Sequence, residues 1–251
     1  MPTRRSLPIY GGVDGGPRPD AREQVRNVLE AGLDPVVVAE RVGANVDALV
    51  AQWMAFDGSG NAKPACSRGC SHCCHQRVEV TAPEVFLLAR FLRIRPDAKR
   101  DARVAATASA VEGLGGRAYL RRKAPCALLG EDGACTVYPA RPMACRRHHS
   151  TDASVCEATL RDPASEVLVP VAPSLQWNVS ALVLGWLEGL AHAGRPPHHY
   201  ELHAALRLAL DDPGAEARFL AGEDPLHPAR SRDAAELPVH LGVAGQSGEA
   251  R

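Results

Sequence analysis

Eight cysteines fall in two short stretches of a 251-residue chain, and their crowding is the first chemistry the sequence offers. The first stretch reads Cys66-Ser-Arg-Gly-Cys70-Ser-His-Cys73-Cys74-His75, four thiols in nine positions with two imidazoles beside them. Core packing does not call for such density, whereas thiolates are soft ligands that suit zinc and iron–sulfur centres. On an α-helix turning ~100° per residue the four thiols would share one face, yet Cys66 and Cys74 would stand ~12 Å apart along the axis. Sulfurs bound to one zinc sit ~2.3 Å from the metal and so within about 4 Å of one another. A straight helix cannot deliver all four to one ion. Either the segment bends, which Gly69 permits, or the ligands divide between centres.

The second stretch supplies Cys126, Cys135, Cys145 and Cys156. A tight hairpin around Gly130 and Gly133 would fold Cys126 back towards Cys135, and Pro139 and Pro142 would stiffen the path that returns Cys145. Arg146 and Arg147 are expected beside the thiolates, offsetting their charge and lowering their pKa values. His72, His75, His148 and His149 stand close enough in sequence to act as ligands or as hydrogen-bonding neighbours of ligands, with His75 the first candidate. An even number of cysteines also permits disulfides, but the adjacent pair Cys73-Cys74 would crowd such pairing. The opening residues MPTRRSLPIYGG lack the apolar stretch of a secretory leader, so a cytoplasmic setting with reduced thiols is expected. All eight cysteines are therefore candidate metal ligands, enough for two four-cysteine sites or for one cluster plus one ion.

The run C-x3-C-x2-C-C, followed by P-C-x8-C-x-V-Y-x2-R-P-x2-C-R, resembles the YkgJ-type cysteine-cluster family, described as chelators of zinc or iron. The likeness spans Cys66 to about Arg146 and rests on the paired Cys73-Cys74 and on Tyr138, Arg141-Pro142 and Cys145-Arg146. It implies ligand roles for Cys66, Cys70, Cys73, Cys74, Cys126, Cys135 and Cys145, with Cys156 beyond the motif. Relatives often carry an aromatic after the Cys-Arg pair; here Arg147-His148-His149 follows. One branch resembles flagellin lysine methylases, which implies an iron–sulfur cluster used with S-adenosylmethionine. Cys66-x3-Cys70-x2-Cys73 also has the spacing of radical S-adenosylmethionine enzymes, but here it follows a Gly/Pro loop and precedes helical segments rather than strand–helix repeats. No Gly-rich nucleotide turn after a strand is visible either; Gly113-Leu-Gly115-Gly116 reads as a helix stop.

The elements that must position these residues read as helices. Val25, Val28 and Leu29, then Val37, Val38, Val42, Leu49 and Val50, give helical periodicity over 20–56, with Pro35 suited to a first helical position. Residues 57–65 are turn formers. Thr81 and Glu84 form a capping-box signature before Val85, Leu87, Leu88, Phe91 and Leu92. Another helix is expected from Asp97 towards Glu112, stopped at Gly113, and further helices over 175–193, 198–211 and 214–221. Residues 35–53 also carry a weak helix-turn-helix pattern, although Asn45, Asp47 and Gln52 offer phosphates no cation.

Lys plus Arg equals Asp plus Glu at 29 each, so no global field favours nucleic acid. The apolar stretch Val179–Ala193 is short and carries Glu188, so it reads as a buried helix rather than a membrane span. Hydrophobic residues make up 45% of the chain and aromatics 4%, which predicts a core of Leu, Val and Ala. The expected fold is mainly α, helical elements around an irregular, loop-rich, cysteine-ligated centre. The expected organisation is a tail over 1–19, a helical hairpin over 20–56, a cysteine-cluster metal-binding domain over 57–160, C-terminal helices over 161–230 and a tail over 231–251. The function expected is binding of an iron–sulfur cluster or Zn2+ in structural, metal-handling or redox-sensing use. The alternatives are a methylase-like enzyme using S-adenosylmethionine and a DNA-binding metal or redox sensor. The expected partner is a protein or a small molecule, with no membrane, and nucleic acid is not favoured.

Overall fold

A computed structural model of the chain describes residues 19–55, 63–165, 167–171 and 173–231. The expected tails, and most of the 57–65 loop, lie outside these residues. The fold is mainly α, with ten α-helices and one two-stranded ladder among the described residues. No helix among them is long and apolar enough to cross a membrane.

Helices α1 (Pro19–Glu30) and α2 (Pro35–Ala55) form where the periodicity places them. Their main partners are elsewhere in the chain: α1 lies along α8 (Pro173–His192), and α2 packs on α3 (Ala82–Arg93). The α1–α8 approach is close because α8 presents Gly185 and Gly189. A Cβ at Gly185 would stand 2.2 Å from the Arg22 carbonyl oxygen, and one at Gly189 3.0 Å from the Arg26 Cα. Glu188 on the same helix accepts the Nε–H of Arg22 at 2.9 Å. Because α2 runs without interruption from Pro35 to Ala55, the helix-turn-helix reading of 35–53 is overturned. Its mid-helix Gly43 makes room for the guanidinium of Arg146, 3.0 Å from where a Cβ would sit, rather than for a turn.

The ladder pairs β1 (Glu79–Thr81) with β2 (His199–Glu201), antiparallel, in the register Glu79 to Glu201, Val80 to Tyr200 and Thr81 to His199. Each strand runs straight into a helix, β1 into α3 and β2 into α9 (Leu202–Asp211), so the ladder pins two helix starts side by side. The expected helix over 198–211 thus begins as a strand. Residues 199–201 pair with β1, and the strand is anchored at Tyr200, which is buried and donates its hydroxyl to Asp224 at 2.8 Å. The capping box at Thr81 forms as read: Glu84 Oε2 accepts the Thr81 N–H at 2.8 Å and its hydroxyl at 2.7 Å. Asp97 caps α4 (Ala98–Val111), Gly113 stops it in the left-handed region at φ 71°, and α5 (Gly116–Arg122) follows.

The core is a continuous body of Val, Leu and Ala from α1, α2, α3, α8 and α9, joined by Phe86, Phe219, Tyr200 and Trp186. Ala127, Leu128, Val137, Ala140 and Met143 of the second cysteine stretch belong to it as well. The loop carrying those cysteines is thereby anchored to the helical body by its own apolar residues.

Candidate metal centre

The first cysteine stretch bends, as the length of a straight helix demands. Gly69 takes φ 88°, a left-handed value open to glycine, and the Cys70 N–H donates to the Ser67 carbonyl at 3.0 Å. A single 3-10 turn, His72–His75, then sets Cys73 and Cys74 side by side, and the Cys74 N–H donates to Ser71 at 2.9 Å. All four thiols are half-buried.

The second stretch is stitched to the first at one point. The Cys126 N–H donates to the Cys74 carbonyl at 2.7 Å. From there the expected hairpin forms: Leu129 bridges Cys135, the Gly130 N–H donates to Ala134 at 2.8 Å, and Gly133 turns at φ 73°. The hairpin tip meets the Gly69 turn, whose carbonyl oxygen lies 3.0 Å from where a Gly133 Cβ would be. A short 3-10 turn at Tyr138–Ala140 leads to α6 (Met143–Arg147), which carries Cys145. Helix α7 (Ala153–Arg161), absent from the sequence reading, begins under an Asp152 cap, buries Cys156 and lies against the 3-10 turn of Cys73 and Cys74. The Ser150 carbonyl closes the ring by accepting the Ala65 N–H at 2.8 Å, with the Cys66 sulfur 3.9 Å away.

All eight cysteines carry free thiols. Their electrostatics show how near they stand to one another. Burial pushes the Cys145 thiol well above its ordinary 9.0, and neighbouring Cys73, Cys126 and Cys135 push it further. Cys73 is raised well above that value by a hydrogen bond to Cys74, by burial, and by the proximity of Cys74 and Cys126. Burial also raises Cys66, which feels Cys70, Cys73 and Cys156, and Cys156, which feels Cys73 and Cys70. Cys135 is raised by burial and by Cys126 and Cys73. Cys73 is thus the common neighbour of two sets, Cys66, Cys74 and Cys156 on one side and Cys126, Cys135 and Cys145 on the other. Among the described residues no three His, Cys, Asp or Glu side chains are already drawn into the tight geometry of a bound ion. The donor set nonetheless fits one: eight soft thiols lie in this span, and a bound cation would offset the burial and mutual repulsion that raise Cys66, Cys135, Cys145 and Cys156.

The arginines behave differently from the expectation. Arg146 turns away from the thiols to Asp47 of α2, and donates to the carbonyls of Arg141 at 2.8 Å and Pro139 at 2.7 Å. Its cation is committed to holding the loop. Arg141, stacked 3.9 Å over the Tyr138 ring, draws Cys145 downwards and, after the Val137 backbone N–H, Cys135 as well, although burial still outweighs it. Arg147 is held below its usual range by burial, with Glu84 and Cys145 acting the other way. Cys66, Cys73, Cys135, Cys145 and Cys156 are consequently raised, not lowered.

Among the imidazoles, His75 Nδ1 lies 3.2 Å from the Ser71 carbonyl, so its proton belongs on that nitrogen. Neither ring nitrogen of His149 makes a hydrogen bond. Burial and Arg141 hold it below its ordinary value, although the Arg146 carbonyl and Asp47 pull upwards. The sequence reading missed a further group. His203 of α9 is fully buried, and its Nε2 accepts the Ala127 N–H at 3.2 Å. Its Nδ1 stands 3.1 Å from Glu201 Oε1 and 3.3 Å from the Tyr119 hydroxyl. Glu201 pulls its pKa upwards against burial, while the bond from Ala127 requires the neutral ring with its lone pair on Nε2. The available signal was a lone histidine on the apolar face of Leu202, Ala205, Leu206 and Ala209, two residues after a glutamate.

Residues 65–163 match the family model described as "CxxCxxCC: Putative zinc- or iron-chelating domain", and that span contains all eight cysteines. The cysteine-cluster resemblance read from the motif is borne out at the level of this domain. No curated protein and no solved structure matches the chain.

Proposed function

We propose that the two cysteine stretches together hold one metal centre of more than one metal atom, an iron–sulfur assembly in preference to a single zinc, serving redox sensing or metal handling. The observation that carries this reading is how the two stretches of free thiols are bonded together: the Cys126 N–H donates to the Cys74 carbonyl at 2.7 Å, the Ala65 N–H to the Ser150 carbonyl at 2.8 Å, and the helix of Cys156 lies against the turn of Cys73 and Cys74. One tetrahedral ion takes four thiolates. Two sets that share a neighbour suit a centre that spreads its ligand positions over a larger volume. The ligands would be Cys66, Cys70, Cys73, Cys74, Cys126, Cys135, Cys145 and Cys156. Residues 57–160 would form the metal-binding unit, with the helices of 161–230 packed on it. When bound, the metal supplies charge neutralisation and, as iron–sulfur, an electron store; the chain supplies thiolates, exclusion of water and a rigid frame. Reduced thiols in this number favour a cytoplasmic setting.

The test is iron, zinc and acid-labile sulfide content, with an absorption spectrum, on protein purified without air. Iron with sulfide and a broad brown absorption supports the reading. Zinc alone on colourless protein replaces it with a structural zinc site. Full metal retention in both Cys70→Ser and Cys135→Ser removes the ligand assignment. The methylase-like alternative is tested on the same sample by calorimetric titration with S-adenosylmethionine.

A further inference from the structure

Behind the Cys126 wall of the centre, buried polar side chains come together where an α-helical protein would ordinarily place apolar ones. Glu79 and Glu201 face each other across the ladder, and like charges directly opposite cost stability unless something compensates. Each has its own partner. Arg77 Nε donates to Glu79 at 2.5 Å, while its remaining donors reach the Leu114 carbonyl at 2.6 Å and Ser231 Oγ at 3.1 Å. Glu201 accepts the Ala204 N–H at 2.7 Å, which caps α9, and faces His203 Nδ1 at 3.1 Å. Tyr119 stands over the same nitrogen at 3.3 Å. Glu201 is 5% exposed, and His203 and Tyr119 are 0% exposed.

Capping α9 needs only the Glu201 carboxylate, and an apolar residue at 203 would fill the helix face. The imidazole is held for its other edge. Nδ1 keeps its proton towards Glu201, which leaves Nε2 directed at the backbone of the residue beside Cys126. We propose that His203, oriented by Glu201 and Tyr119, is the positioning residue of the metal centre, fixing through Nε2 the turn that carries Cys126. This inference rests on the metal-binding reading above.

The hydrogen bond to the Ala127 amide sets where the Cys126–Leu128 turn sits. Outer groups of this kind orient ligands, and their loss typically costs about 10–100-fold in metal affinity. A buried histidine of purely structural importance would affect stability and leave the metal's own properties alone.

The experiment uses the full-length, metal-loaded protein and compares wild type with His203→Gln, His203→Phe, Glu201→Gln and Tyr200→Phe. Two quantities are read: the rate at which metal passes to a coloured chelator, and the position of the thiolate-to-metal absorption and circular dichroism bands. His203→Phe is expected to release metal about tenfold faster or more, with displaced bands, and Glu201→Gln to move both in the same direction. His203→Gln, whose amide oxygen can still accept from Ala127, is expected to recover part of the loss. Tyr200→Phe removes the buried hydrogen bond to Asp224 on the same ladder, and is expected to lower stability without changing either reading. Wild-type release and unmoved bands in both His203→Gln and Glu201→Gln would overturn the proposal, even if His203→Phe fails to fold. A wild-type protein that takes up no metal instead defeats the metal-binding reading itself.

Discussion

The carboxylate of Glu84 accepts the backbone N–H of Met143 at 2.7 Å, so the residue that caps α3 also holds the first turn of the Cys145 helix. One buried side chain therefore ties the helical body to the cysteine loop. Replacement by Ala would leave the N–H groups of Thr81 and Met143 buried without their acceptor. Glu84→Ala is expected to destabilise the protein by about 2–4 kcal/mol in urea unfolding, and Glu84→Gln by less, because the amide oxygen keeps one of the bonds.

Asp47 plays the matching part from α2, pairing with both Arg141 and Arg146. Arg146 is buried while Asp47 is 38% exposed, so the pair contributes less than a fully buried one. Asp47→Asn is expected to cost about 1–3 kcal/mol. Arg146→Lys is expected to cost at least as much, since one ammonium cannot serve Asp47 and two carbonyls in the planar geometry of a guanidinium. Thermal unfolding of the loaded protein checks both.

Gly185 gives a prediction against helix propensity. In an isolated helix, Gly to Ala gains about 1 kcal/mol. Here the new Cβ would meet the Arg22 carbonyl oxygen at 2.2 Å, and backbone cannot rotate out of the way. Gly185→Ala is expected to destabilise by about 1–3 kcal/mol through separation of α1 from α8. Stability equal to or above wild type would show that α1 does not sit against this face.

The raised thiols of Cys66, Cys73, Cys135, Cys145 and Cys156 fix the sign of a pH effect. Their folded pKa values lie above the ordinary 9.0, so above about pH 9 the unfolded chain loses thiol protons that the folded, metal-free chain retains. The stability of the metal-free protein is therefore full below pH 9 and falls as pH rises through the folded values. On the proposed reading these thiols are already deprotonated on metal in the loaded protein, so denaturant midpoints of the two forms should diverge as pH rises past 9.0. Metal uptake at neutral pH should release protons, measurable in weak buffer.

Legibility followed the range of the interaction. The cysteine stretches, the hairpin at Gly130–Gly133, the capping box at Thr81 and the periodic helices all declare themselves within a dozen residues, where spacing is informative. The short ladder was invisible because three residues give no period, and Glu79 meets Glu201 only through the tertiary fold. Helix α7 escaped notice because its apolar face is small and Cys156 read only as a ligand. The direction of Arg146 could not be read either. Its neighbour in sequence is Cys145, but its partner is Asp47, 99 positions away. The same distance problem hid His203 from Cys126, since nothing in the sequence relates residues separated by a whole sub-bundle.

The bond between the Cys126 N–H and the Cys74 carbonyl means that the chain leaves this spot, builds β1, α3, α4 and α5, and comes back to it. The intervening fifty or so residues form a closed excursion, gripped at its base much as a lasso is gripped at its knot. Lengthening the excursion at its outer bend, Arg95–Asp97, moves no thiol and costs only the slow logarithmic entropy of a longer loop. Cutting it there leaves both halves held at the knot. The fold therefore has an architectural tolerance on one side and none on the other: the rim can diversify freely, while a single residue gained or lost between Cys126 and Cys145 would unseat the site.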